Sequence, residues 1–167
     1  MATVQGLASY LIPRAMEHKT VVSLPRLIKL MYLADWRESL AHNAQITNLK
    51  WKIGPCGPSA DEIYQQLMTD VSHFTLSTVM DRFGNPKTVV GQTRQVVNSE
   101  LTPDQRSSVD FILGVAKNRE WESLVSLVSS TYPVATHEPG AELNLPELAT
   151  EYQTEILPKI VAQKPNN

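Results

Sequence analysis

Cys56 is the only thiol in the chain, and it stands just before a predicted helix whose N-terminal N–H groups would stabilise a thiolate. A nucleophile also needs a base. The four histidines, His18, His42, His73 and His137, are far apart in sequence, so nothing local supplies one. The same spacing argues against a metal site, because His42 and His73 lack a ligand-type neighbour one helical turn away. No phosphate-cradling glycine loop occurs either. Asp61 and Glu62 are adjacent carboxylates, but at the start of a helix negative charge is explained by the dipole. Glu142, Glu147, Glu151 and Glu155 recur at mainly helical spacing, which predicts a solvated face, with an acidic stripe for a partner as the sharper alternative. Arg26 and Lys29 lie three apart, and Lys50 and Lys52 flank Trp51. That grouping has the makings of a basic patch with an aromatic for nucleic acid.

Bulk composition narrows these options. A formal net charge of −2 over 167 residues supplies no general attraction to nucleic acid or to an anionic membrane. No apolar run approaches the ~18 residues that span a bilayer. No basic segment followed by an unbroken apolar stretch opens the chain, so no signal peptide is expected. A single cysteine excludes an internal disulfide and favours a reducing, cytoplasmic setting. One domain over residues 1–160 is expected, with a disordered tail at 161–167.

The elements that would position these groups are mostly helical. Val4, Leu7, Ala8, Leu11, Ile12, Ala15 and Met16 mark a first helix, with Pro13 expected to kink it or break it in two. Ser23 caps a second helix over about 24–41, with Pro25 in its first turn. Residues 44–58 form an ordered loop or short strand. Ser59 and Glu62 predict a capping box for a third helix ending near Asp70. Residues 74–98 predict a β-hairpin turning at Gly84-Asn85-Pro86. Thr102-Pro103-Asp104-Gln105 opens the next helix as a capping box. A helix from Trp121 stops at Tyr132-Pro133, and Asn144 caps a last helix reaching about Ile156. The predicted fold is a mostly α domain around the central helix, with a small hairpin.

That central helix has almost no polar face. Leu24, Leu27, Leu30, Met31 and Ala34 share one side, and Leu33, Trp36 and Leu40 lie opposite with Tyr32 and Lys29 beside them. Burial on both sides is the expectation. The alternative is that Leu33, Trp36 and Leu40 form an exposed binding face.

The run Leu27-Ile28-Lys29-Leu30-Met31-Tyr32-Leu33-Ala34, then Trp51, then Gly57-Pro58 with Ile63-Tyr64-Gln65-Gln66-Leu67, resembles the Panacea domain, also described as the SocA-like antitoxin domain. Related proteins are encoded by phages. The helix Trp121 to Leu127, closed by Ser130-Thr131-Tyr132-Pro133, is similar to the family's late segment, and the likeness covers about Leu24 to Tyr152. The resemblance implies a helical fold and a non-enzymatic antitoxin, without a cofactor, that blocks a cognate protein toxin by direct contact. The toxin is expected from the adjacent gene. One described member instead delivers its toxin to a protease. The positions carried over are Lys29, Leu30, Tyr32, Trp51, Gly57, Pro58, Ile63, Thr131, Tyr132 and Pro133, all with mainly structural roles. Two departures are Pro13, and Ser59 where a larger residue is expected. On this reading Leu33, Trp36 and Leu40 are the candidate toxin-binding residues, and a homo-oligomer is compatible. The rival readings are a DNA-binding regulator of its own operon and a thiol or hydrolytic enzyme.

Overall fold

The computed structural model describes residues 1–15, 21–93 and 100–163. Helix α1 (Val4–Ala15) is undivided, with Pro13 in its last turn. The expected break does not occur, because a proline so near the end removes one N–H and leaves little helix beyond it to disrupt. Met16 and His18 lie outside the described residues. Val21–Ser23 forms a short strand, β1, rather than a plain lead-in.

Helix α2 (Leu24–His42) begins where the capping logic places it. Ser23 accepts a hydrogen bond from the Arg26 N–H, and Pro25 sits in the first turn. It ends at Asn43, whose φ of 56° closes the helix in the left-handed conformation. Twelve of its residues, from Leu24 to Ser39, are buried, because α1, the β1 strand and the elements described below pack around it. A helix apolar on both sides therefore takes the centre of the core.

Strands β2 (Trp51–Gly54) and β3 (Gly57–Ser59) make a tight hairpin. Helix α3 (Asp61–Thr69) follows. Its N-cap is Ala60, with no side-chain cap, so the Ser59–Glu62 capping box is not formed. Ser59 is engaged in pairing with Lys52 on β2, which pulls the helix start one residue onward. Strands β4 (Phe74–Met80) and β5 (Pro86–Gln92) form the second hairpin. Asp81 holds its turn by accepting the Phe83 and Asn85 N–H groups, and Gly84 supplies a φ of 79°. Of the extension expected over 93–98, Thr93 is not in the strand, which ends at Gln92, and 94–98 lie outside the described residues.

Helix α4 (Pro103–Ala116) has the full Thr102/Gln105 capping box. Helix α5 (Trp121–Ser129) is followed at once by a short helix, α6 (Tyr132–Ala135). Tyr132-Pro133 thus starts a new turn as well as ending the old one, since a first-turn proline gives up an N–H that has no helical partner. The two-residue strand β6 (Glu142–Leu143) was not foreseen. Asn144 caps α7 (Leu145–Glu151) through the Glu147 N–H. The chain then widens into a π turn, Tyr152–Ile156, and tightens into α8 (Leu157–Ala162). Helix therefore extends beyond Ile156 and into the segment expected as tail.

The fold is mainly helical with two three-stranded antiparallel sheets, ordered β1-β5-β4 and β3-β2-β6. This is more sheet than the single hairpin expected. The second sheet brings the Gly-Pro corner, Trp51 and the segment before α7 together beside α2.

Candidate functional site

Several of the motif residues meet beside the middle of α2. Leu30, Trp51 and Ile63 are core residues, and Pro58 and Pro133 are buried. Tyr32 crosses the middle. Its ring meets Trp51 edge-on at 5.5 Å, and its hydroxyl lies 2.8 Å from Thr131 Oγ1. Thr131 donates its own proton to the Val128 carbonyl, so Tyr32 is the donor of that bond. Burial holds the Tyr32 phenol well above its ordinary pKa, so the donor is permanent. This one bond ties α2 to the α5–α6 junction.

Lys29 is the unusual member. It is 3% exposed, yet it is a cation. Its Nζ donates to the Cys56 carbonyl at 2.8 Å and lies 5.0 Å from the Trp121 ring centre. Desolvation draws its pKa below the ordinary lysine value. Lys29, Pro55, Cys56, Gly57, Trp121, Val125, Val128 and Ser129 line a cleft of about 360 Å³ between the β2–β3 corner and α5. Gly57 has a φ of 103°, a conformation that side-chain-bearing residues rarely adopt.

The centre of the fold holds a residue that sequence reasoning passed over. Asp35 is fully buried in α2. Its Oδ1 accepts the Ile46 and Thr47 N–H groups at 2.9 and 3.0 Å. Its Oδ2 accepts the Thr47 hydroxyl at 2.6 Å, Trp51 Nε1 at 2.9 Å and Gln45 Nε2 at 3.4 Å. Burial pushes its pKa up to about 6, while the bonds from Thr47, Trp51 and Ile46 pull it down. Asp35 thus anchors the loop after α2 and fixes the Trp51 ring against Tyr32. An acid inside a helix with no polar face, followed by donors at Thr47 and Trp51, was the available signal. Glu38, also buried, accepts from Ser108 and meets His42 at 3.0 Å, joining α2 to α4.

The remaining sequence-derived sites come apart. Cys56 is exposed, in the turn between β2 and β3. It is separated from α3 by a strand, so the helix-terminus argument for its thiolate does not apply. The described histidines are engaged locally: His42 with Glu38, His73 with Asp70, His137 with the Pro133 carbonyl. His18 lies outside the described residues. The basic patch does not assemble either. Trp51 is 1% exposed, Lys29 is buried, Arg26 donates to the Ala116 and Arg119 carbonyls, and Lys52 pairs with Asp61 at 2.8 Å. Glu142 lies on β6, while Glu147, Glu151 and Glu155 follow one another along the continuous run of α7 and the π turn, with Glu151 half-buried and the other three glutamates exposed. Leu33 and Trp36 are buried and Leu40 is half-buried. Tyr152 lies across Trp36 at 6.4 Å and against Tyr132 at 5.4 Å. The proposed exposed face is therefore covered by the chain's own π turn.

No helix is long and apolar enough to cross a membrane among the described residues. No curated protein and no solved structure matches the chain significantly. The family model described as "Antitoxin SocA-like, Panacea domain" matches residues 27–132, more than half the chain, and that span runs from the start of the core of α2 through Trp51 and the Gly-Pro corner to Tyr132. The chain belongs to the SocA-like antitoxin, Panacea domain family.

Proposed function

We propose that this protein is an antitoxin that neutralises a cognate protein toxin by direct, stoichiometric binding, with the toxin encoded beside it. The observation that carries this is the family match over residues 27–132. The geometry supports it. Several groups that could have served catalysis or nucleic-acid binding have structural partners instead: Lys29 donates to the Cys56 carbonyl, Lys52 pairs with Asp61, and His42 with Glu38. What the domain offers a partner is surface, including the cleft beside Lys29 and the outer half of the β4–β5 hairpin, where Met80 and Phe83 are exposed. An interface of the usual size, roughly 1,200–2,000 Å² in total, would require neither cofactor nor chemistry. The test is co-expression with the adjacent gene product. Growth should be restored, and the two proteins should co-elute at a fixed ratio. Restoration tied to binding of the protein's own promoter fragment would favour a transcriptional regulator instead.

A further inference from the structure

Lys29 is a buried cation with no carboxylate counter-ion among the described residues. Buried charges in proteins are paired, because removing one from water without compensation is costly. An ammonium can donate three hydrogen bonds. Among the described residues Lys29 makes one, to the Cys56 carbonyl, and no carboxylate pairs with it. The Trp121 ring gives a second, weaker compensation. Yet the residue is not sealed in the core: it forms part of the lining of the open cleft. Gly57 keeps the approach clear, since a Cβ there would stand 3.6 Å from Nζ. The rest of the lining is mainly apolar, from Pro55 and the half-exposed Trp121 ring to Val125 and Val128, with Cys56 and Ser129 as its other polar residues. A lone cation set among apolar walls is complementary to one negative charge carried on an apolar neighbourhood.

We propose that this cleft receives an aspartate or glutamate side chain of the partner protein, its carboxylate meeting Lys29 Nζ while adjoining apolar groups rest on Trp121, Val125 and Val128. The inference depends on the antitoxin proposal for the identity of the partner as a protein. A chain terminus fits less well. Terminal carboxylates are held by sets of backbone N–H donors, whereas the backbone group placed at Nζ is an acceptor, the Cys56 carbonyl. The charge of a paired carboxylate would also oppose the lowering of the Lys29 pKa that burial causes.

The probe is acetyl-Val-Glu-Leu-amide, titrated into protein carrying carbon-13 in its lysine and valine side chains. Its glutamine counterpart and acetyl-Val-Leu with a free carboxylate are the comparisons. The glutamyl peptide should shift Lys29 Cε and the Val125 and Val128 methyl signals saturably. The glutamine peptide should bind at least about tenfold more weakly. Lys29→Met should abolish that preference. Should that variant fail to fold, Val125→Glu decides: a carboxylate on the cleft's own wall should exclude the glutamyl peptide while the melting curve is kept. Equal binding of the glutamyl and glutamine peptides, shifts away from the cleft, undiminished binding to folded Val125→Glu, or preference for the free terminus would each overturn the proposal. No toxin enters this experiment, so a negative result refutes the cleft assignment alone. Growth rescue judges the antitoxin proposal separately.

Discussion

Replacing Asp35 with asparagine removes one charge and hardly any volume, yet it should be among the most damaging changes in the protein. The carboxylate accepts five hydrogen bonds from Ile46, Thr47, Trp51 and Gln45. An asparagine can keep its oxygen towards the Ile46 and Thr47 N–H groups. Its NH₂ then faces the Thr47 hydroxyl and Trp51 Nε1. The hydroxyl can turn to accept, but the indole N–H can only donate. One buried donor is orphaned against another, and charge-assisted bonds are lost. The cost is on the order of 3–5 kcal/mol, which for a domain of this length lowers Tm by roughly 6–20 °C. The pH dependence adds a second check. A carboxyl titrating at about 6 folded and near 3.8 unfolded binds its proton more tightly in the folded state. Its contribution to stability is therefore greatest below the unfolded pKa and is lost as pH rises towards about 6. The difference is about 3 kcal/mol across that window. Protonation is tolerated where the amide is not, because a carboxyl O–H oxygen still accepts from Trp51. Urea titrations of both proteins between about pH 4 and pH 7 should show the gap between them widening as pH falls. A loss below about 1 kcal/mol at neutral pH, or a gap that narrows on acidification, would refute the assignment of Asp35 as the node of the core.

Trp36→Ala removes a ring that is 7% exposed and packed under Tyr152, and should cost about 3–5 kcal/mol by thermal or urea unfolding, with partner binding lost only through unfolding. Cys56→Ser should change stability by less than about 1 kcal/mol and keep neutralisation, because Lys29 holds the backbone carbonyl and the thiol is exposed; a folded variant that no longer rescues growth would revive a thiol mechanism. Tyr32→Phe should cost about 1 kcal/mol, since Thr131 keeps its own bond to Val128 and no donor is stranded. Gly57→Ala should cost about 1–2 kcal/mol from its positive φ, read as a shift in urea midpoint.

Local signals carried the helices well. Ser23 with Pro25 and Thr102 with Gln105 satisfy the first N–H groups of α2 and α4, and those rules act within a few residues. The same rule failed at Ser59, because pairing of β3 with β2 claimed that residue first. Strands β1 and β6 are short and have no pattern of their own. They exist because β5 and β2 lie beside them, a long-range fact. The candidate site is split in the same way. Motif residues such as Tyr32, Trp51 and Gly57 were legible as a set, but not that Lys29 would reach the Cys56 carbonyl across the Gly-Pro corner. Trp51, which the rival nucleic-acid reading needs at the surface between two lysines, is held in the core by its bond to Asp35. Trp36 is covered by Tyr152, more than a hundred residues along the chain, which no periodicity within α2 could indicate.

The most direct measurement combines light scattering on the mixed, purified protein and adjacent gene product with growth rescue by the same pair. Direct neutralisation predicts a saturable complex of fixed ratio, and rescue that is lost in surface variants that fold normally but no longer associate. Full rescue by a folded variant that forms no complex with the toxin would contradict the account.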